Sequence, residues 1–393
     1  HTMQYHPHGD QAIGDALVGL GQKNILIDTQ GNWGDVRTGD KAAASRYIEA
    51  RLTDFALEIA FNKNITKFQS SYDGRNNEPI ALPIKFPLLL AQGAEGIAVG
   101  LSTKILPHNF NELIKSSVFI LKDKPYTIYP DFINGGLIDV TSYNNGQKGG
   151  RIRIRCNVDV LDKETLIIRD LCHGTTTLSL IDSIVKANNS GKIKIKNIED
   201  NTSEEVEIVI HLIKGVSPNV TIDALYAFTN CEVSVSPNCC VIIDNKPEFI
   251  TVNKLLQLST FRTKTILGLE LKHNLLMLKE KLHYITLESL FIENKIYRDI
   301  ENCVTWESII KTIHSKLKKY KNKLEKNYTD DDISKLTEIK IKKITQYDKD
   351  KQIEVIKKIK YNIEEIENNI KNLNDYAIRY FEHLKSTYGS KYI

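Results

Sequence analysis

Apolar positions recur along this chain at two different periods, and the change of period divides it. In the last third, Leu267, Leu271, Leu275, Leu278, Leu282 and Ile285 step by four and three, and Ile356, Ile359, Ile363, Ile366, Ile370, Leu373, Ala377, Tyr380 and Leu384 repeat the spacing. Each stripe predicts a long amphipathic helix. Two such stripes predict an antiparallel coiled coil, roughly 45 Å long for thirty residues at ~1.5 Å each. Residues 306–347 between them predict a small helical knob, with Thr329-Asp330-Asp331-Asp332 as a helix start. The middle of the chain alternates instead. In Arg151-Ile-Arg-Ile-Arg-Cys-Asn-Val-Asp-Val, the side chains of Arg151, Arg153 and Arg155 share one face of a strand. That face suits either a phosphate backbone or plain solvent. Residues 192–196 and 206–212 predict further strands, 220–228 a helix, and 241–250 a hairpin around Asp244-Asn245-Lys246-Pro247.

The front is less regular. Asp10 is a plausible cap for a helix over residues 11–20, whose Ile13, Leu17 and Leu20 predict a buried side. Residues 25–28 predict a short strand that feeds a loop punctuated by Gly31, Gly34 and Gly39. From Asp40 the composition changes to helix formers, so a helix is expected over 42–52, continuing through 55–61. Tyr72-Asp73-Gly74 predicts a turn, and Pro79, Pro83 and Pro87 an extended path. From Asn111 a further helix leads into the strand-rich middle.

On the expected 42–52 helix stands Arg46-Tyr47. A tyrosine has a reference pKa near ~10 and is a poor nucleophile at neutral pH. A neighbouring guanidinium favours the phenolate and can also grip a phosphate with two parallel hydrogen bonds. A packed tyrosine beside an arginine is the plainer alternative. His6-Pro7-His8 is poorly spaced for zinc, and the glycines of 93–100 lack the spacing of a nucleotide-binding loop.

Composition adds limits. With 393 residues, two or three domains are expected. No apolar run reaches the ~18 residues that would span a bilayer, and the six cysteines show no paired zinc spacing. Buried thiols in a reducing, cytoplasmic compartment are expected. Net charge is only +4, but residues 311–360 hold 16 lysines and 8 acidic residues, so this stretch carries +8 and the remainder −4. A solvated helical face is the expected account of that excess, and a DNA-contacting surface the alternative.

Four separated segments change the picture. Tyr5-His-Pro-His-Gly-Asp, the Gly-Asn-Trp-Gly loop with Arg46-Tyr47, the run at 82–100, and Ile105-Leu-Pro-His-Asn occur in one order. Together they resemble the A subunits of bacterial type IIA DNA topoisomerases, DNA gyrase and topoisomerase IV. The resemblance covers nearly the whole chain and weakens between about residues 141 and 250.

The resemblance implies a multidomain α+β protein: a truncated winged-helix DNA-gate domain (1–100), a mixed α/β tower (101–258), and a coiled coil with a dimerisation knob, the C-gate (259–393, knob about 306–347). It implies that Tyr47 becomes joined to a DNA 5′ end, helped by Arg46 and by His8 near the scissile phosphate. It assigns DNA contacts to His6, Gly9, Gln11, Thr103, Lys104 and Ile105, the last as a wedge between base steps. Gln11 and Asp15 match the quinolone-binding region. Mg²⁺ and ATP are expected on a separate polypeptide, the topoisomerase B subunit, with no metal held by this chain. Double-stranded DNA, that B subunit and a second copy of the chain are the expected partners, and the nucleoid the place of action. In the resembled proteins more chain precedes His6, so a catalytic core with its front missing is expected. A non-enzymatic DNA-binding or dimerisation remnant is the alternative.

Overall fold

The computed structural model describes residues 2–324 and 326–392. The chain divides into two compact units: residues up to Ile266 together with those from Ala377 onward, and Leu267–Tyr376. It is of mixed α and β composition, with small antiparallel sheets and long helices in different parts of the chain.

In the first unit, helix α1 (Asp10–Gly21) is capped by Gly9. Asp10 is therefore not the cap expected above. It lies in the first turn, where its charge faces the unpaired backbone N–H groups. The apolar side of α1 also differs from expectation. Leu17 and Leu20 are each 37% exposed, and Ile13 is half-buried. The helix is held by its C-terminal end instead. Gly21 lies so close to the Trp33 ring that an added Cβ would come within 2.6 Å, and Gln22 Nε2 donates to the Trp33 carbonyl at 2.9 Å.

Strand β1 (Ile27–Gln30) pairs antiparallel with β2 (Glu49–Leu52), from Ile27 opposite Leu52 to Gln30 opposite Glu49. The helix expected over 42–52 is absent. Only a 3₁₀ turn, Ser45–Tyr47, forms before the chain extends. Local propensity favours helix here by tenths of a kcal/mol per residue, whereas pairing with β1 satisfies the backbone of 49–52 in a ladder. The ladder wins because the glycine loop returns the chain alongside β1. Helix α2 (Asp54–Ala60) is then a separate element, started by Thr53, whose Oγ1 accepts from Ala56 N at 3.0 Å.

The hairpin of β3 (Phe68–Ser70) and β4 (Asn77–Pro79) turns at Gly74. Helix α3 (Leu88–Gln92) follows the prolines, and a second hairpin joins β5 (Ala94–Ala98) to β6 (Leu101–Ile105). Helix α4 (Phe110–Leu121) starts at Asn109, whose Oδ1 accepts from Asn111 N and Glu112 N.

Strands β7 (Leu137–Asp139) and β8 (Ile152–Arg155) lead to β9 (Val158–Asp162), β10 (Thr165–Ile168) and helix α5 (Thr177–Asn189). Then come β11 (Ile195–Asp200), β12 (Ile208–Leu212), α6 (Pro218–Phe228) and β13 (Glu232–Val235). They form a four-stranded sheet in the order β11-β12-β10-β9 and a three-stranded sheet in the order β13-β8-β7, both antiparallel. The hairpin of β14 (Cys240–Ile243) and β15 (Lys246–Phe249) turns through Asp244 and Asn245, both at positive φ, as its tight loop requires. Cys156, Cys172, Cys231 and Cys239 are buried, and all six thiols are free.

Helix α7 (Val252–Glu293) runs 42 residues, and its part beyond Leu267 belongs to the second unit. There Leu282 is buried with Ile359 and Ile363 of helix α12, and Leu275, Leu278, Ile285 and Ile356 pack around them. Helix α12 covers Lys349–Lys371; between α7 and it lie α8 (Ile296–Asp299), α9 (Trp306–Leu317), α10 (Asp330–Thr337) and α11 (Ile341–Thr345). These short helices close over Leu287, Leu290, Phe291, Ile313, Leu317, Ile333 and Leu336. The three aspartates open α10, with Thr329 and Asp332 capping each other. The second stripe breaks at Asn372, beyond which α13 (Leu373–Tyr388) begins. Its last turns belong to the first unit, where Tyr388 and Tyr392 join Phe55, Phe86 and Phe110 in a cluster with ring centroids 4.9–5.6 Å apart.

Candidate DNA-cleavage site

Tyr47 ends the 3₁₀ turn, and one residue, Ile48, separates it from the β2 ladder, so its backbone is held on both sides. Its N–H donates to the Ala44 carbonyl at 2.8 Å. Gly31, at φ +94°, packs beneath it, and a Cβ there would meet the Tyr47 carbonyl oxygen at 2.8 Å. Only glycine combines that backbone angle with that closeness. The Tyr47 side chain is 67% exposed, and the Arg46 guanidinium carbon sits 4.7 Å from its ring centroid. The phenol makes no hydrogen bond among the described residues. It is thus presented to solvent, with a cation against its ring and a rigid strand behind it.

The loop ahead of the turn is held by its own bonds. Trp33, 6% exposed, donates its ring N–H to the Gln30 carbonyl at 3.0 Å. Gly34 N donates to Asn32 Oδ1 at 2.8 Å, Ala43 N to the Asn32 carbonyl at 3.0 Å, and Asp35 N to the Asp40 carbonyl at 3.1 Å. Thr38 Oγ1 donates to Asp40 Oδ2 at 2.7 Å. Asp40, where a run of helix formers was expected to begin, closes the loop instead.

His6 and His8 are exposed ahead of α1, their rings edge to face at 4.5 Å. Among the described residues no hydrogen bond or ring contact joins either histidine to Tyr47 or Arg46. Gly9 has open space around its Cα, and Gln11 Nε2 donates to Asp15 Oδ1 at 2.7 Å on the exposed face of α1. Lys104 Nζ pairs with Glu95 Oε1 across the second hairpin at 3.0 Å, and Thr103 Oγ1 lies 3.4 Å from the Asn238 carbonyl.

Ile105 is 4% exposed, at the base of that hairpin opposite Ala94. The exposed apolar groups stand at the hairpin's other end: Ile97 is 91% and Val99 fully exposed. Ile97 pairs with Ser102 next to the turn at Val99-Gly100. Ile105 is the wedge by resemblance, while the residues alone favour a core isoleucine ahead of Pro107. The turn glycines Gly96 and Gly100, flanking Ile97 and Val99, are the signal for a presented tip.

The arginine face of β8 is occupied. Arg153 Nη2 bonds Asp139 Oδ2 at 2.6 Å, Arg155 pairs with Glu232, and Arg151 Nη2 donates to Ser234 Oγ at 2.7 Å. These cross-strand pairs explain the alternation without a ligand. Arg153 also holds the Asp139 carboxyl well below the usual range, after the still larger contribution of the Thr141 hydroxyl. Among the described residues no group of three or more His, Cys, Asp or Glu side chains is placed to hold a metal ion, and no helix is long and apolar enough to cross a membrane.

The profile of the family described as the A subunit of DNA gyrase/topoisomerase IV matches residues 1–382. The chain belongs to that family. It is 41% identical over 391 residues to the DNA topoisomerase 4 A subunit of Borreliella burgdorferi, an alignment that takes in 100% of this chain and 62% of that protein. It is 37% identical over 276 residues to the DNA gyrase A subunit of Lawsonia intracellularis, across 64% of this chain and 34% of the relative. With the DNA topoisomerase 4 A subunit of Rickettsia conorii it shares 33% identity over 329 residues, across 75% of this chain and 44% of that protein. The chain thus spans less than two thirds of the length of these relatives.

Proposed function

We propose that the chain acts as the A subunit of a type II DNA topoisomerase, breaking and rejoining DNA through Tyr47. The observation that carries this is the exposed phenol, without a hydrogen bond among the described residues, on the family's glycine loop with the Arg46 cation against its ring. In the step proposed, Tyr47 Oη attacks a backbone phosphorus. A tyrosyl–phosphate bond to the DNA 5′ end forms, the phosphorus–O3′ bond breaks, and the 3′ oxygen leaves with a proton. Return attack by that 3′ hydroxyl restores the strand. One phosphodiester replaces another, so the step itself needs no ATP. Arg46 offers positive charge to the five-coordinate phosphate. His8 serves proton transfer once DNA brings the start of α1 and the tyrosine to one phosphate.

The wider assembly follows from the same proposal. Each tyrosine cuts one strand, so a double-strand break needs two copies of the chain. The α7–α12 pair is read as a coiled-coil arm, and the helices between them as the knob that joins two copies. Residues 101–258 are read as the tower, and residues 1–100 as a winged-helix-like DNA gate. The B subunit supplies Mg²⁺ and ATP hydrolysis, and the complex works in the cytoplasm on the nucleoid. Ile97 takes the wedge role in place of Ile105, with His6, Gly9, Gln11, Thr103 and Lys104 lining the DNA. Gln11 and Asp15, bonded to each other, form the quinolone-facing surface.

The test is a cleavage assay with the B subunit, Mg²⁺ and a duplex whose 3′ leaving strand dissociates after scission. A covalent protein–DNA adduct that vanishes in Tyr47→Phe supports the enzyme. Salt-dependent DNA binding with no adduct from the unsubstituted chain rejects it in favour of a binding remnant.

A further inference from the structure

The loop that delivers Tyr47 is fastened to its surroundings at Arg37. Arg37 Nη2 lies 2.7 Å from Asp35 Oδ2, and its Nε donates to Asp35 Oδ1 at 3.1 Å, a two-point fork within the loop. The Arg37 backbone N–H adds a third bond to Asp35 Oδ1 at 2.8 Å. The remaining arm, Nη1, donates to the carbonyl of Glu204, in the turn between β11 and β12. The Arg37 carbonyl accepts from Thr177 N at 2.8 Å, in the first turn of α5. Gly39 rests on the side chain of Thr176, the residue that caps α5. Both side chains of the fork are about two-thirds buried. The guanidinium beside Asp35 keeps that carboxyl below the usual carboxylate range.

We propose that Arg37 is a positioning residue for Tyr47, a clip that fastens the nucleophile's loop to α5 and to the β11–β12 turn. The inference rests on Tyr47 being the nucleophile. Its physical content is a chain of short bonds. Asp35, held by Arg37, receives Gly39 N at 2.8 Å on its own carbonyl and gives its N–H to the Asp40 carbonyl. Those bonds set the loop's width, and Ala43 N to Asn32 O closes it one residue before the Ala44 carbonyl that receives Tyr47 N. With the clip gone, the loop loses its only side-chain tie to Glu204 among the described bonds. The phenol then samples positions away from the phosphate. A guanidinium is required because three directions must be served at once, and a lysine ammonium offers no planar fork.

The experiment compares the unsubstituted chain, Arg37→Ala, Arg37→Lys and Asp35→Asn, each with the B subunit, Mg²⁺ and the same trapping duplex. Two readouts are taken: the single-turnover rate of adduct formation beside DNA affinity, and amide hydrogen exchange across residues 31–47. The expected result for Arg37→Ala is an adduct rate at least tenfold slower with DNA affinity within twofold. Exchange at Gly39 and Ala43 should be at least tenfold faster, with the core of α5 unchanged. Asp35→Asn should fall between, and Arg37→Lys should recover less than half of the lost rate. An Arg37→Ala chain with unsubstituted adduct rate and loop exchange overturns the proposal, and so does a loss confined to DNA affinity. If the unsubstituted chain forms no Tyr47-dependent adduct, the functional reading falls, while exchange in the loop still decides whether Arg37 clips it.

Discussion

At Gly31 the backbone angle and the 2.8 Å approach to the Tyr47 carbonyl leave no room for a side chain. Gly31→Ala should therefore cost about 1–3 kcal/mol of stability. A thermal melt measures that loss, and the cleavage assay should show a lower adduct yield at temperatures where the variant is still folded. A second residue makes the pH prediction. His108 is 4% exposed, and burial pushes its pKa down to about 4, against smaller opposing effects of the nearby Leu90 and Leu106 carbonyls and Asp131. A depressed histidine pKa means that the unfolded chain takes up the proton first as pH falls. Stability should then be full above about pH 6.5 and decline between pH 6.5 and 4. Urea unfolding at pH 5 should give a value about 2 kcal/mol below that at pH 7 from this group. His108→Gln should remove that share of the difference, and an unchanged slope would contradict the assignment.

Among elements, the β5–β6 hairpin holds Ile105 buried at its base and Ile97 exposed next to its turn. Ile105→Ala should destabilise by about 3 kcal/mol, because it empties a buried site. Ile97→Ala should change stability by less than about 0.5 kcal/mol. DNA bending, read by energy transfer between duplex ends, should fall only with Ile97→Ala if that side chain is the wedge. The elements that sequence showed well are those whose pattern and tertiary environment agree. The alternation at Ile152 and Ile154 is a strand with both buried, and the run from Val220 became α6 once Pro218 opened it. The Asp244-Asn245 turn declared its hairpin through residues that tolerate positive φ. The stretch 42–52 did not show itself, because Ala42, Ala43 and Ala44 carry helix propensity while the deciding partner, β1, lies some twenty residues away. Leu17 and Leu20 have helical spacing, but spacing does not say whether anything covers the face they form. Arg46-Tyr47 was legible as a pair. Its support from Gly31 was not, since a positive φ and a 2.8 Å approach are properties of the folded chain. The Arg37 clip joins residues 167 positions apart and left no local trace.

For the whole molecule, the proposal requires two copies. In the second unit Val304 is 97% and Trp306 51% exposed, beside a closed apolar cluster. Val304→Asp combined with Trp306→Ala should weaken self-association at least tenfold by sedimentation equilibrium, with secondary structure intact. A chain that stays monomeric at tens of micromolar would contradict the two-copy account. The most direct measurement concerns the bond itself. Cleavage complexes made with the B subunit, Mg²⁺ and duplex DNA are denatured, digested with nuclease and trypsin, and mapped by mass spectrometry. The account predicts a nucleotide attached through its 5′ phosphate to the phenol of Tyr47, in the peptide that begins at that residue after cleavage behind Arg46. A nucleotide on any other side chain, or cleaved DNA whose 5′ ends carry no protein, would contradict it.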